Sequence, residues 1–123
     1  MIVSCGHDIY QCDDADAFES IMKKLLAEKS AEVWISQNGE QDEYPCMALL
    51  VNENNAVLHH FGDDGSCYVS CNGSDQEGFV SFCDGQYEIC LYQVISKEVA
   101  MTALMDYYLN SVRSNSIQWD QLY

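Results

Sequence analysis

The amino-acid sequence predicts an α+β fold, in which an antiparallel β-meander of about six strands has an N-terminal and a C-terminal helix packed on it. Apolar residues recur at helical spacing near both ends of the chain, and six short β-prone runs separated by Gly, Asn or Asp turns lie between them. Turns this short cannot hold the crossovers that parallel strands require. The length of 123 residues suits one domain, which we expect to span residues 1–123.

The N-terminal part of the chain is predicted to form a strand followed by a helix. MIVSC, residues 1–5, has the composition of a short strand, and the polar stretch GHDIYQCDDAD is predicted to be a connection. Apolar residues between positions 15 and 29 fall on one helical stripe. Asp16 and Glu19 have the spacing of a capping box, which predicts the start of this helix.

The central part of the chain is predicted to form the meander. Its six β-prone runs are VWIS, CMALLV, AVLHHF, CYVSC, FVSFC and YEICLY. The turns between them are Asn38-Gly39, Asn54-Asn55, the GDDG tip at 62–65, Asn72-Gly73 and Asp84-Gly85, all of residue types that tolerate positive φ. CMALLV is apolar at every position and is therefore predicted to be a central strand, buried on both faces.

A second helix and a final strand are predicted at the C-terminal end. Ser96 suits an N-cap with Glu98 in the first turn, and the helix is expected to run to about Val112. Its apolar stripe comprises Ala100, Ala103, Leu104, Tyr107 and Tyr108. Ile117 and Trp119, two positions apart, suit one more docked strand.

Charge is distributed unevenly along the chain, whose net charge is −15. The cations are Lys23, Lys24, Lys29, Lys97 and Arg113, and residues 30–96 hold eleven acids without any Lys or Arg. Such a segment repels nucleic-acid phosphates and anionic membranes and attracts cationic surfaces. The alternative is that the acids only maintain solubility.

The chain is predicted to be cytoplasmic. No apolar run reaches the roughly 18–20 residues that cross a bilayer, and residues 1–10 lack the basic start and apolar stretch of a signal peptide. The seven cysteines are odd in number and irregularly spaced, which favours reduced thiols over disulfides.

Residues 59–78, HHFGDDGSCYVSCNGSDQEG, concentrate potential metal ligands and catalytic groups. On a strand, His59 and His60 point to opposite faces, and Cys67 and Cys71 lie roughly 13 Å apart at about 3.3 Å per residue. These spacings do not suit one zinc ion. The consecutive acids of the GDDG tip suit a solvated turn, and DDADAFES at 13–20 lacks the glycine and the glutamate of a calcium loop. We therefore expect no metal and no other cofactor.

Cysteine–histidine catalysis is the strongest enzymatic alternative, and the local charges oppose it. Cys12 adjoins Asp13 and Asp14, and Cys67 follows the acidic tip; nearby carboxylates raise the pKa of a thiol and disfavour the thiolate. No GxSxG, phosphate-binding loop, dinucleotide fingerprint or HExxH is present. We expect no catalytic residues and no enzymatic activity.

The order of elements in the second half of the chain resembles a known family. Tyr44-Pro45 leads into CMALLV, then AVLHHF, the GDDG tip, CYVSCNG, a further hairpin, a helix and Ile117-x-Trp119. Over about residues 32–119 this order is similar to the family numbered one among the immunity proteins of bacterial polymorphic-toxin systems. The resemblance implies a non-enzymatic cytoplasmic antitoxin that binds and blocks a cognate toxin, a nuclease or deaminase domain.

The acidic character of residues 30–96 independently fits such a partner. An enzyme that binds nucleic acid presents a basic surface, and an acidic protein can compete for that surface. The acidic candidates for binding the toxin are Glu40, Asp42, Glu43, Asp63, Asp64, Asp75 and Glu77. The aromatic candidates for a desolvated anchor are Tyr44, Phe61 and Tyr68. Two other functions stay open: an acidic adaptor for another basic protein, and a cysteine- or metal-dependent enzyme. Neither nucleic acid nor a membrane is expected as a partner.

Overall fold

The structure, a computed structural model, describes residues 1–37 and 44–123. The elements in chain order are β1 (Ile2–Cys5), β2 (Asp8–Gln11), α1 (Ala15–Leu26), β3 (Ala31–Ser36), β4 (Cys46–Val51), β5 (Asn55–Phe61), β6 (Cys67–Cys71), β7 (Phe79–Phe82), β8 (Tyr87–Cys90), a 3₁₀ turn (Leu91–Gln93), β9 (Ile95–Ser96), α2 (Lys97–Asn110) and β10 (Gln118–Gln121). No helix in the described ranges is long and apolar enough to cross a membrane.

The predicted α+β fold is confirmed. The main sheet has the order β10-β6-β5-β4-β3-β1-β2, with β9 paired to β5, and every pairing is antiparallel. All six predicted strands form. Four of them, β3 to β6, make a continuous meander, whereas β7 and β8 leave the main sheet and form a separate two-stranded hairpin. The apolar β4 lies between β3 and β5 and is buried throughout, as predicted.

Two N-terminal predictions are corrected. The stretch predicted to be a connection contains β2, because Gly6 with φ +60° turns the chain so that Ile2 pairs with Gln11. The cap of α1 is Asp14, not Asp16: the Asp14 backbone is extended and its carboxylate accepts a 2.7 Å hydrogen bond from the Ala17 N–H. The helix then ends at Leu26, whereas the apolar stripe predicts a helix over residues 15–29.

The C-terminal predictions are confirmed with a small shift. Ser96 caps α2 by accepting a hydrogen bond from the Val99 N–H, and the helix ends at Asn110, where Ser111 adopts a left-handed conformation. The final strand β10 pairs with β6. Trp119 packs against the main core, and its indole N–H donates to the Ser114 carbonyl at 2.9 Å.

The two faces of the main sheet are covered differently. The face under α1 and α2 holds the main core, which is formed by Val3, Phe18, Met22, Val33, Ile35, Met47, Leu49, Leu58, Leu104 and Tyr107 among others. The opposite face is covered by the β7–β8 hairpin in a smaller cluster of Leu50, Val57, Val69, Phe82, Ile89 and Val94.

Side chains of β6 and of the residue directly after it fix the position of the segment that follows the hairpin. The Ser70 hydroxyl donates to the Gln93 carbonyl at 2.7 Å, and the Asn72 side-chain amide donates to the carbonyls of Leu91 and Val94, both at 2.7 Å. These bonds hold the hairpin over Val57 and Val69. The remainder of this sheet face, near the end of β5, lies outside the hairpin cluster.

Candidate functional site

An aromatic groove lies on this sheet face, between the hairpin and the end of β5. Strand alternation places the side chains at positions 32 and 34 of β3, 48 and 50 of β4, and 59 and 61 of β5 on this same face. With one tyrosine from the hairpin they line a concavity of about 200 Å³. The aromatic groove thus consists of Glu32, Trp34, Ala48, Leu50, His59, Phe61 and Tyr87.

Phe61 is the centre of the aromatic contacts. Its ring stacks on Trp34 at a centroid distance of 5.7 Å and on His59 at 6.2 Å, and Tyr44 meets it edge-on at 6.3 Å. Phe61, Trp34 and His59 are half-buried, whereas Tyr44 is 59% exposed. Large aromatic surface therefore remains accessible at one place, in the offset-stacked and edge-to-face geometries that aromatic rings prefer.

A carboxylate is fixed in the wall of the groove. Glu32 Oε1 accepts hydrogen bonds from the Trp34 indole N–H at 3.3 Å and from the Tyr87 hydroxyl at 3.0 Å. The bond to Glu32 raises the pKa of the Tyr87 hydroxyl, because ionised tyrosine would lose this bond and face the carboxylate. Glu32 and Trp34 also line a second, more open concavity, which lies on the β1 side of β3.

The predicted acids at the β5–β6 tip lie at the same end of the sheet as Tyr44. Asp63 and Asp64 are exposed, and Asp64 Oδ1 accepts bonds from the Ser66 N–H at 3.0 Å and the Ser66 hydroxyl at 2.6 Å. The bonds from Ser66 lower the pKa of the Asp64 carboxyl, since they favour its charged form. The tip therefore presents an ionised Asp64 carboxylate at the same end of the sheet as the exposed Tyr44.

Tyr68 lies elsewhere. It alternates with Cys67 and Val69 on β6 and so points to the helix-covered side of the sheet, away from the aromatic groove. The guanidinium carbon of Arg113 lies 3.4 Å from its ring centroid. Both residues line a cleft of about 480 Å³ that also includes His60 and the two tip acids.

Of the remaining acidic candidates, the two in the loop after β6 are separated from this end. Asp75 and Glu77 are exposed in the loop after β6, so the length of that strand, roughly 13 Å at about 3.3 Å per residue, separates them from the tip. Glu40, Asp42 and Glu43, together with the predicted Asn38-Gly39 turn, lie outside the described residues. Of the predicted aromatic anchors, the structure thus brings Tyr44 and Phe61 together. Asp63 and Asp64 lie at the same end of the sheet as these two rings.

Sequence reasoning overlooked Glu32 and Trp34 as site residues. A signal was available, because alternation in AEVWIS places these two side chains opposite the apolar positions Val33 and Ile35. The sequence pattern presents His59 as a potential metal ligand or catalytic base. Its contact with the aromatic ring two positions along the same strand assigns it to the groove wall.

The ionisable groups that the structure describes do not form a metal site. Within residues 1–37 and 44–123, no three His, Cys, Asp or Glu side chains lie close enough to hold an ion. Burial lowers the pKa of both His59 and His60, and the positive charge of Arg113 lowers that of His60 further.

Burial, with smaller contributions from Asp13 and Asp14, raises the pKa of the Cys12 thiol, in the predicted direction. For Cys67 the pKa is raised by burial and not by the tip acids, so the predicted cause was wrong. In both cases the thiol form is favoured.

No protein-family model matches the chain, and no curated protein shows significant similarity to it. The resemblance to immunity proteins therefore stays a prediction from the order of elements.

Proposed function

We propose that this protein is an immunity protein that binds a cationic, nucleic-acid-targeting toxin domain, a nuclease or a deaminase, and blocks it without catalysing a reaction. The observation that carries the proposal is the aromatic groove: Trp34 and Phe61 lie stacked and accessible on an otherwise covered sheet, in a chain with a net charge of −15. Accessible aromatic side chains beside a polar rim are the usual anchors of protein–protein interfaces.

The distribution of cations supports a cationic partner for this face. Within the described ranges, no strand carries a Lys or Arg. Lys23 and Lys24 lie on α1, Lys97 lies on α2, and Arg113 folds onto a ring on the helix-covered side of the sheet. Lys29 lies in the loop between α1 and β3, and Arg113 shares its cleft with the tip acids. None of the described residues that line the aromatic groove is a Lys or Arg, so Glu32 is the charged group of the groove itself.

Binding would proceed in two stages. The acids at the β5–β6 tip and Glu32 would attract the basic surface of the toxin, which raises the association rate at low salt. The aromatic side chains would then be desolvated in an interface of about 800 Å² per partner and would hold the complex. A surface used by the toxin to grip nucleic acid would be occupied by the immunity protein.

The decisive experiment is co-expression with the toxin encoded beside this gene. The wild-type protein is expected to restore growth, and the Trp34→Ala/Phe61→Ala variant is expected to lose this protection although it folds. Phe79→Ala is the matched control, because Phe79 is a 66% exposed aromatic residue on the hairpin and outside the groove. Circular dichroism checks the fold of each variant.

Two results would contradict the proposal. If the wild-type protein neither binds nor neutralises the neighbouring toxin, the immunity function is wrong, and binding of another basic protein without rescue would identify an acidic adaptor. If the double variant protects as well as Phe79→Ala does, the aromatic groove is not the binding face. The association rate should also fall between roughly 50 and 200 mM salt.

A further inference from the structure

We infer that the aromatic groove receives one arginine side chain of the partner, which stacks on Trp34 and Phe61 and pairs with Glu32. This inference rests on the proposed function in that the partner is a cationic protein, and it names the group that the groove recognises. The groove holds about 200 Å³. Small-molecule sites usually measure roughly 300–1,000 Å³, so this size suits a single side chain better than a separate ligand.

The walls favour a planar cation. The rings of Trp34, His59 and Phe61 lie within 24° of parallel in the two stacked contacts centred on Phe61. A guanidinium stacks on such aromatic faces by cation–π attraction and by π-stacking, whereas the ammonium of lysine is more strongly hydrated. His59 does not oppose a cation, because burial lowers its pKa and keeps the ring neutral.

Glu32 supplies the charge. Its two hydrogen bonds, from the Trp34 indole and the Tyr87 hydroxyl, both use Oε1. They hold the carboxylate beside the rings, so that it is oriented before a ligand arrives. Because both bonds use Oε1, the second oxygen, Oε2, can accept a guanidinium N–H, and such a charge-assisted hydrogen bond is stronger than a neutral one.

None of the described residues that line the groove is a Lys or Arg, so the protein does not fill this place with a cation of its own. The helix-covered side of the same sheet provides the comparison. There Arg113 lies 3.4 Å from the ring centroid of Tyr68, so this chain already stacks a guanidinium on an aromatic ring. The cleft around Arg113 is also lined by the two tip acids, and the aromatic groove offers the same combination of aromatic rings and a carboxylate.

The test uses three small probes on the full chain: N-acetyl-arginine amide, N-acetyl-lysine amide and N-acetyl-norleucine amide. Each is titrated into ¹⁵N-labelled protein while the indole N–H resonances of Trp34 and Trp119 are followed by NMR. The arginine probe is expected to shift the Trp34 resonance to saturation, the lysine probe to bind more weakly, and the norleucine probe to bind least. Trp119, on the other side of the sheet, is the internal control.

A charge-removing variant isolates the carboxylate. Glu32→Gln keeps an oxygen that accepts from Trp34 and Tyr87, so it should fold, and it is expected to weaken binding of the arginine probe about tenfold or more. Glu88→Gln is the matched control, because Glu88 is exposed on β8 and does not line the groove. Its affinity for the probe should equal that of the wild type.

Three outcomes would overturn the inference: equal affinity of Glu32→Gln and the wild type, equal affinity for the lysine and arginine probes, or tightest binding of the norleucine probe. If the toxin is neutralised but the arginine probe leaves Trp34 unchanged, the inference fails and the proposed function stands. If the arginine probe binds as expected but the toxin is not neutralised, the proposed function fails and the recognition site stands.

Discussion

Replacing Ser70 by alanine is expected to lower the free energy of unfolding by about 2–4 kcal/mol. Ser70 is fully buried where β5 changes its partner: β5 pairs with β6 at residues 59–61 and with β9 at residues 55–56. In the gap between them, the Ser70 hydroxyl accepts from the Leu58 N–H at 3.1 Å and donates to the Gln93 carbonyl at 2.7 Å.

Alanine would therefore remove a partner from two buried backbone groups at once. Each such group costs about 1–3 kcal/mol when it is left without a hydrogen bond. The expected loss of about 2–4 kcal/mol is the sum for the two groups, reduced because the surrounding structure relaxes in part. The same change should loosen the segment that places the β7–β8 hairpin on the sheet, because Gln93 follows directly after the hairpin.

Urea unfolding followed by tryptophan fluorescence measures this loss, since the midpoint and slope together give the free energy of unfolding. Ser81→Ala is the control: Ser81 is exposed on β7, and its replacement should change stability by no more than about 0.5 kcal/mol. A loss below about 1 kcal/mol at Ser70 would refute the reasoning, because it would mean that the two backbone groups find other partners.

Two further predictions follow from the N-cap of α1 and from the buried imidazoles. Asp14→Ala should cost about 1 kcal/mol in urea unfolding and Asp16→Ala less, because the Asp14 carboxylate bonds the Ala17 N–H; the opposite order would restore Asp16 as the cap. Burial lowers the pKa of His59 and His60 below the ordinary 6.5, so the unfolded chain binds more protons below that pH and stability falls on acidification. Replacing both histidines by Gln should make the urea midpoint depend less on pH between about pH 5 and 6.5. If the midpoint of the variant changes with pH as steeply as that of the wild type, the reasoning is refuted.

Much of the fold was predictable, because most elements have a recognisable pattern within a few neighbouring residues. The spacing of Phe18, Met22 and Leu25 defines a helical face, and unbroken apolarity in CMALLV defines a central strand. β2 was not predictable in the same way. It is a polar edge strand, and its pairing depends on the Gly6 turn rather than on an apolar pattern.

The candidate site was predictable in part. The aromatic character of Tyr44 and Phe61 and their place near an acidic turn pointed to an anchor, and both belong to one aromatic cluster. The same reasoning failed to separate Tyr68 from them, since a ring on a neighbouring strand is distinguished only by which face it points to. That face follows from the pairing of β5 with β6, which the sequence does not state.

The sequence by itself determined the α+β class, the two helices, the six central strands and the excess of acid, because periodicity and charge are properties of neighbouring residues. Only the tertiary structure decided that β7 and β8 leave the sheet, that Arg113 folds onto Tyr68 and that Glu32 is fixed between Trp34 and Tyr87. The physical reason is sequence distance: the contacts of Arg113 with Tyr68 and of Tyr87 with Glu32 join residues tens of positions apart, and packing and buried hydrogen bonds select them only once the whole chain is in place.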